Sequence, residues 1–233
     1  MAKQARAVQT RRAIVEAAAS VFDDYGYERA ALSEILRRAE VTKGALYFHF
    51  PSKESLAQAI MDEQTTRVRV PEVGSRLQAL VDITHQFAYS LAHDPLARAG
   101  TRLSIEGVFL NGVHPWGEWF DMVARLLTEA KEAGEVLPQV NPEETAEFIV
   151  SAFTGVQLVS EAITKRTDLR GRVAILWHNI LPAITYPGVI IRIKPDGAMD
   201  PSLVLREDET AETPETAEAG ETAEPLTTSP AAS

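Results

Sequence analysis

The chain has 233 residues, of which 45% are hydrophobic and 24% charged, with a formal net charge of −10 and no cysteine. That size suits one large or two small globular domains, and the missing cysteines exclude disulfides, thiolate metal sites and cysteine redox chemistry. No apolar run of about 18 residues reads as a membrane span, and Met1–Arg6 leads into no signal-peptide core, so a cytoplasmic protein without a membrane partner is expected.

The charge is unevenly spread. Residues 1–53 hold 9 basic against 6 acidic residues, whereas residues 206–233 hold 1 against 8. Only the N-terminal segment is basic, and local charge rather than the total sets an electrostatic footprint on DNA.

Residues 7–25 read as an amphipathic helix, with Ile14, Ala17, Ala18, Val21, Phe22 and Tyr25 at three- and four-residue steps and Gly26 as its stop. Lys3 and Arg6 are expected on a loose basic arm ahead of it. A second helix spans Leu32 to Ala39. The turn Glu40-Val41-Thr42 then leads into Lys43-Gly44-Ala45-Leu46-Tyr47-Phe48-His49-Phe50. Thr42 is a good N-cap. Leu46 and Phe50, four apart, can face inward together. That leaves Lys43, Gly44, Ala45, Tyr47 and His49 outward: a cation, two tiny residues and two hydrogen-bonding rings, suited to a phosphate-lined groove. Helix, tight turn and short helix form a helix-turn-helix pattern. Pro51-Ser52 breaks the chain, and Ser52 caps a further helix carrying Leu56, Ala57, Ile60 and Met61.

After Arg67–Ser75, helical spacing resumes over 76–93. Asp94 and Pro95 are the cap and first position of the next helix, which fades at Gly107. Asn111–His114 reads as a loop, and Pro115 opens a helix stopped by Gly134. Asn141-Pro142-Glu143-Glu144 is a strong helix start. Asp168 starts a last helix, ended by Pro182. These last two helices are more apolar than one core needs. Residues 186–200 are ambiguous, and Val189, Ile190, Ile191 and Ile193 fit a short extended packing segment. From Arg206, Glu-Thr-Ala-Glu recurs at 209–212, 215–218 and 221–224, an acidic tail expected to be disordered.

No GxGxxG, P-loop, GxSxG or HExxH pattern occurs, and the five histidines lack metal-ligand spacing. No cofactor, metal or enzymatic activity is expected. The informative stretch is His114-Pro115-Trp116-Gly117-Glu118-Trp119-Phe120, where two tryptophans three apart fit either core packing or a ligand site.

Residues 10–60 resemble the DNA-binding domain of the TetR family of bacterial repressors. Phe22, Gly26, Tyr27, Ser33-Glu34-Ile35 and, above all, Thr42–Phe50 followed by Ser52-Lys53-Glu54 carry the likeness. Glu40 departs from it, because many members place glycine there, and a non-glycine residue at positive φ costs roughly 1–2 kcal/mol. Met1–Ala7 with Gln9-Thr10-Arg11, Arg98–Leu103 and Glu118-Trp119 are similar to a subgroup, the γ-butyrolactone autoregulator receptors of the A-factor type.

The resemblance implies an all-α homodimer whose last two helices form a four-helix interface with their mates. It implies a repressor that leaves its double-stranded DNA operator when a γ-butyrolactone or butenolide binds, controlling antibiotic production or development. It places Trp119 over the lactone. Gln64, Phe87, Val123, Thr154 and Gln157 are added as residues expected to face the bundle interior. Residues 1–53 form the DNA-binding domain with Lys3, Arg6, Thr42, Lys43, Gly44, Ala45, Tyr47, His49 and Lys53 at the operator. Residues 53–66 connect it to a ligand-binding and dimerisation domain over 75–185. Two alternatives stay open: a pseudo-receptor answering to an antibiotic, and a small-molecule-binding helical enzyme or carrier.

Overall fold

A computed structural model describes residues 2–71, 74–107 and 116–202. The expected loop at 111–114, the helix opening at Pro115 and the acidic tail from 206 lie outside the described residues. Among the described residues ten helices follow in order: α1 (Ala2–Arg29), α2 (Leu32–Ala39), α3 (Lys43–His49), α4 (Lys53–Thr66), α5 (Arg76–His93), α6 (Pro95–Ile105), α7 (Gly117–Glu132), α8 (Pro142–Thr164), α9 (Leu169–Ile184) and α10 (Pro187–Ile190). Among the described residues the only β pairing is an isolated antiparallel bridge between Val136 and Thr185.

The apolar side chains form two cores. The first joins α1–α4 around Ile14, Phe22, Ile35, Leu46, Phe50, Leu56 and Ile60. The second joins α5 and α7–α9 around Leu80, Ile83, Leu91, Leu126, Ile149 and Trp177. α6 serves both. Leu96, Ala99 and Leu103, at helical spacing, enter the first core, while Ala97 enters the second.

Two helix limits differ from the sequence reading. α1 begins at Ala2, so Lys3 and Arg6 lie within the helix, not on a loose arm. The alanines at 2, 5 and 7 favour helix, and nothing before Gly26 breaks it. Gly26 interrupts the helix with φ 73 and ψ 172, after which a last turn reaches Arg29. In α9, Pro182 is internal and the helix continues to Ile184. So near the end, the missing N–H removes one bond of the last turn and the helix does not stop.

α5 is buried around nearly its whole circumference, and most of its buried polar groups are matched, His85 Nδ1 excepted. Thr84 Oγ1 donates to the Val81 carbonyl and accepts from Trp177 Nε1 at 2.7 Å. Gln86 exchanges bonds with the backbone of Arg69. Asp82 accepts from the Ala198 amide at 2.6 Å, and Lys194 N donates to Gln78 Oε1 at 2.7 Å. These contacts lay residues 194–198 along α5, with Val189 and Ile193 buried. The ambiguous 186–200 stretch is thus a short helix followed by turns held on α5.

α8 is long and apolar enough, by length and composition, to cross a membrane, although the sequence reading found no such run. Here its buried face, with Ala146, Ile149 and Phe153, packs into the second core. Its other face leaves Phe148, Val159 and Ile163 exposed, and Ile175 of α9 is exposed as well.

The α8–α9 corner closes on Asp168. Its carboxylate accepts from Ser160 Oγ and Thr164 Oγ1, both at 2.6 Å, and from Arg172 Nε at 2.8 Å. The two hydroxyls, ahead of Arg172, lower its pKa from 3.8 to about 2. A folded-state pKa below the unfolded one gives stability that is present above about pH 4 and lost as pH falls toward 2. Acid unfolding followed by circular dichroism should therefore show a shallower loss over that interval in Asp168→Asn than in the wild type.

Candidate DNA-reading face and ligand cavity

The helix-turn-helix is built on local chemistry. Glu40 takes the left-handed conformation at φ 54 and ψ 35, closing α2. Thr42 Oγ1 caps α3 by accepting from the Ala45 amide at 3.2 Å. Leu46 and Phe50 are buried, and the Arg11 guanidinium lies 5.2 Å over the Phe50 ring, tying α3 to α1. Lys43, Gly44 and Tyr47 are exposed, with Ala45 and His49 half-buried beside them. Lys43 Nζ sits 5.8 Å from the Tyr47 ring centre. Arg6 is exposed on α1.

Lys53 is placed differently. It is the first residue of α4, its ammonium donates to the Tyr27 carbonyl, and it lies 4.5 Å over the Tyr27 ring. Burial lowers its pKa, and burial followed by Glu54 pushes the Tyr27 phenol up to about 12. Its ammonium is engaged at the joint between α1 and α4. Phe48 was not singled out from sequence, yet it is 80% exposed on α3. The spacing held the signal, since inward Leu46 and Phe50 turn position 48 outward. An exposed aromatic beside Tyr47 can meet a thymine methyl in a major groove.

The second feature is an apolar cavity in the bundle of α5–α8, with a volume of about 40 Å³. It is a narrow slot between packed side chains. Phe87, Trp119, Val123, Thr154 and Gln157, all expected from sequence, line it. Phe87 is its hub, with ring centres 4.5 Å from Trp119 and 5.7 Å from Phe153. Trp116, which the sequence offered with Trp119 as either core or ligand site, lines it too, as do Ile83, Thr84, Thr101, Ile149 and Val150, which were not among the expected pocket residues. Inward spacing predicts burial but not which inward residues leave a gap.

Gln64 does not line the cavity. Its Nε2 donates to the Ala97 carbonyl at 2.8 Å and to Thr101 Oγ1 at 2.7 Å, which turns the amide onto α6, one layer behind the wall. A Cβ on Gly100 would come within 2.8 Å of Gln64 Oε1, so the glycine permits this approach of α4 and α6.

Gln157 is the informative polar group. It is 1% exposed, and its Oε1 accepts from Arg166 Nη2 at 3.2 Å. A guanidinium can only donate, so the oxygen must face Arg166 and the amide nitrogen must face elsewhere. That nitrogen is buried and has no hydrogen-bond partner. Buried donors without partners are rare, and each calls for an explanation.

Polar contacts join the cavity region to the DNA-reading domain. Thr65 of α4 donates to Glu118, the neighbour of Trp119. From α6, Arg98 Nε pairs with Asp23 at 2.7 Å and Arg102 Nη1 donates to the Asp23 carbonyl at 2.6 Å. Glu106 accepts from the Tyr27 amide at 2.8 Å. A Cβ on Gly26 would come within 2.7 Å of Arg102 Nη2, so this residue is glycine for its φ and for the closeness of α6.

Residues 14–60 match the bacterial regulatory proteins of the tetR family, and residues 74–185 match the tetracyclin repressor-like C-terminal domain. The chain is 65% identical over 212 residues to the A-factor receptor protein of Streptomyces griseus, covering 91% of this chain and 77% of that protein. The chain belongs to the TetR family. Among solved structures it is similar to full-length TylP, a TetR regulator from Streptomyces fradiae, with a TM-score of 0.78 and 39% identity over 86% of this chain and 98% of the other. It is also similar to a γ-butyrolactone receptor described as ArpA-like, with a TM-score of 0.66 and 31% identity over 86% and 99%. This TetR-family chain is a ligand-responsive, DNA-binding transcriptional repressor, and its family and these relatives are regulators, not enzymes.

Two substitutions check the DNA-reading face. Tyr47→Ala should weaken operator binding in gel-shift titrations at fixed salt, with helical content unchanged. Arg6→Ala should weaken binding to all sequences alike and flatten the salt slope by about one unit if it contacts a phosphate. Wild-type affinity in Tyr47→Ala would exclude that residue from the contact surface.

Proposed function

We propose that this chain is a homodimeric repressor that occupies its operator when unliganded and leaves it when a γ-butyrolactone or butenolide enters the α5–α8 cavity. On this reading it acts in the bacterial cytoplasm and controls antibiotic production. The observation that carries the ligand class is the unpartnered Gln157 amide in an otherwise apolar cavity. A lactone carbonyl offers the missing acceptor, its acyl tail suits the aliphatic and aromatic walls, and the Trp119 ring supplies a flat cover. The relatives named for an A-factor receptor and a γ-butyrolactone receptor support the same class.

The narrowness of the cavity supplies the switch. A ligand with an acyl tail must move side chains apart to fit, so it binds better to a rearranged protein. Only such differential affinity shifts the equilibrium between DNA-binding and released states. Thr101 on the wall, with Gln64 behind it, passes the displacement to α6 and α4. Thr42, Lys43, Gly44, Ala45, Tyr47 and His49 are proposed to meet the operator, with Phe48 added to the set. Lys53 is proposed to orient α4 against Tyr27 while its charge supports phosphate contact. The exposed Phe148, Val159, Ile163 and Ile175 are proposed as the α8–α9 dimer face. Two recognition helices must then lie about 34–36 Å apart to enter successive major grooves.

Trp119→Ala tests the reading. A tryptophan within a fully packed core costs about 3–5 kcal/mol when truncated to alanine, which would impair folding and DNA binding together. Beside a cavity, the mutant should still fold and hold its operator but should no longer release it across a lactone titration. Release at wild-type lactone concentrations would place the ligand elsewhere.

A further inference from the structure

A slot of about 40 Å³ has no room for an acyl tail until one of its walls yields. α5 supplies Ile83, Thr84 and Phe87 to those walls, and Phe87 is the hub of the rings. Gln78, Asp82 and His85 follow one another at i, i+4 and i+7 and share one face of the same helix. At about 100° per residue the two sets lie half a turn apart. A retreat of α5 from the slot therefore drives the polar stripe outward. Residues 194–198, a strap that follows α10, lie across that stripe.

The grip of the strap is polar and largely buried. The Lys194 amide donates to Gln78 Oε1 at 2.7 Å, and Gln78 Nε2 donates back to the Lys194 carbonyl at 3.3 Å. The Ala198 amide donates to Asp82 Oδ1 at 2.6 Å. His85 Nε2 lies 2.8 Å from the Pro195 carbonyl, which can only accept, so Nε2 carries a proton. Asp82 is 4% and His85 2% exposed. The strap is also a turn of its own, with Pro195 in second place and Gly197 in fourth, closed by the Gly197 amide on the Lys194 carbonyl at 3.0 Å. Gly197 has a φ of +86, and a Cβ on it would stand 3.2 Å from His85 Cδ2, so a glycine lets the turn lie this close to α5. Val189 and Ile193, buried in the second core, anchor the leading end.

We propose that the strap sets how far α5 yields to a ligand, and so the length of tail that the slot admits. Gln78, Asp82 and His85 are then positioning residues behind Ile83, Thr84 and Phe87. This rests on the ligand reading proposed above and adds to it a size limit imposed by a segment that touches no ligand. α5 can turn or retreat only by carrying the strap with it or by breaking its bonds, and the strap is pinned by Val189 and Ile193. A tail within the limit gains about fourfold in affinity for each methylene buried. A tail beyond it must separate buried polar groups from their partners, which outweighs the gain from one more methylene.

The test takes the full chain through two ligand series that lengthen one methylene at a time: γ-butyrolactones with straight acyl tails, and straight-chain alcohols from butanol to octanol. Binding is read from tryptophan fluorescence, since Trp116 and Trp119 line the slot. The wild type should gain about fourfold per methylene up to an optimum length and lose affinity beyond it. In Asp82→Ala and in Gln78→Ala the optimum should move to a tail longer by at least one methylene. Gln78 is only half-buried, so its variant decides the matter if Asp82→Ala does not fold. Asp82→Asn keeps an acceptor for the Ala198 amide and should keep the wild-type optimum. A strap that merely stabilised the fold would lower the melting temperature of the variants and leave the optimum unmoved, and that result would overturn the proposal. So would an Asp82→Asn optimum shifted as far as that of Asp82→Ala, or alcohols that bind neither the wild type nor any variant. Alcohols that show the shift while no lactone binds would uphold the role of the strap and remove the lactone reading instead.

Discussion

Everything in this chain depends on α6 belonging to two cores at once. Leu96, Ala99 and Leu103 are buried with α1 and α4, whereas Ala97 is buried with α5 and Thr101 lines the apolar cavity. A helix shared in this way cannot shift against one body without loading the other, because packed interiors do not deform continuously. The polar contacts reinforce this. Arg98, Arg102 and Glu106 grip α1 at the Gly26 break, where neither the backbone angle nor the available space admits a side chain. The partners are part-exposed, so the value of these contacts lies less in net stability, which for such pairs is small, than in fixing one register between the two bodies.

The cavity is the other half of the device. A narrow slot holding an unpartnered amide is a poor ground state: it forfeits dispersion contacts and leaves a donor desolvated. A ligand that supplies an acceptor and fills the slot removes both penalties at once. It must push against Thr101, Phe87 or Trp119 to do so, and Thr101 is itself part of α6. Thr101 shares Gln64 with α4, and Trp119 follows Glu118, which accepts from Thr65. The signal then has a short physical route, through contiguous packing, to the joint where Lys53 and Glu106 hold Tyr27.

Much of this was legible in the sequence because it rests on local rules. The Thr42 cap, the inward Leu46 and Phe50, the left-handed Glu40 and the Asn141-Pro142 start each follow from a few adjacent residues, and the structure has them as expected. Phe87, Val123, Thr154 and Gln157 line the cavity as helical spacing proposed. What the sequence hid depends on distant partners. Gln64 has the spacing of a cavity residue but is captured by Ala97 and Thr101, more than thirty positions away. Lys53 has the family pattern of an operator contact, yet its ammonium rests on Tyr27. Arg166, in a corner with no periodicity, could not be connected to Gln157 without the fold. The start of α1 and the passage of α9 through Pro182 were missed for a different reason: propensity sets helix limits weakly when neighbouring packing extends them.

The central claim is that filling the α5–α8 cavity changes the distance between the two α3 helices of a dimer. The chain has no cysteine, so Phe48→Cys, at an 80% exposed position of α3, gives a single spin-label site per protomer. The decisive measurement is the distance distribution between the two labels by pulsed electron paramagnetic resonance, with and without saturating γ-butyrolactone. The account predicts an unliganded distribution compatible with successive major grooves, about one turn of DNA apart, and a displaced one when lactone is bound. An identical distribution in both states, under conditions where the lactone releases the operator, would contradict it.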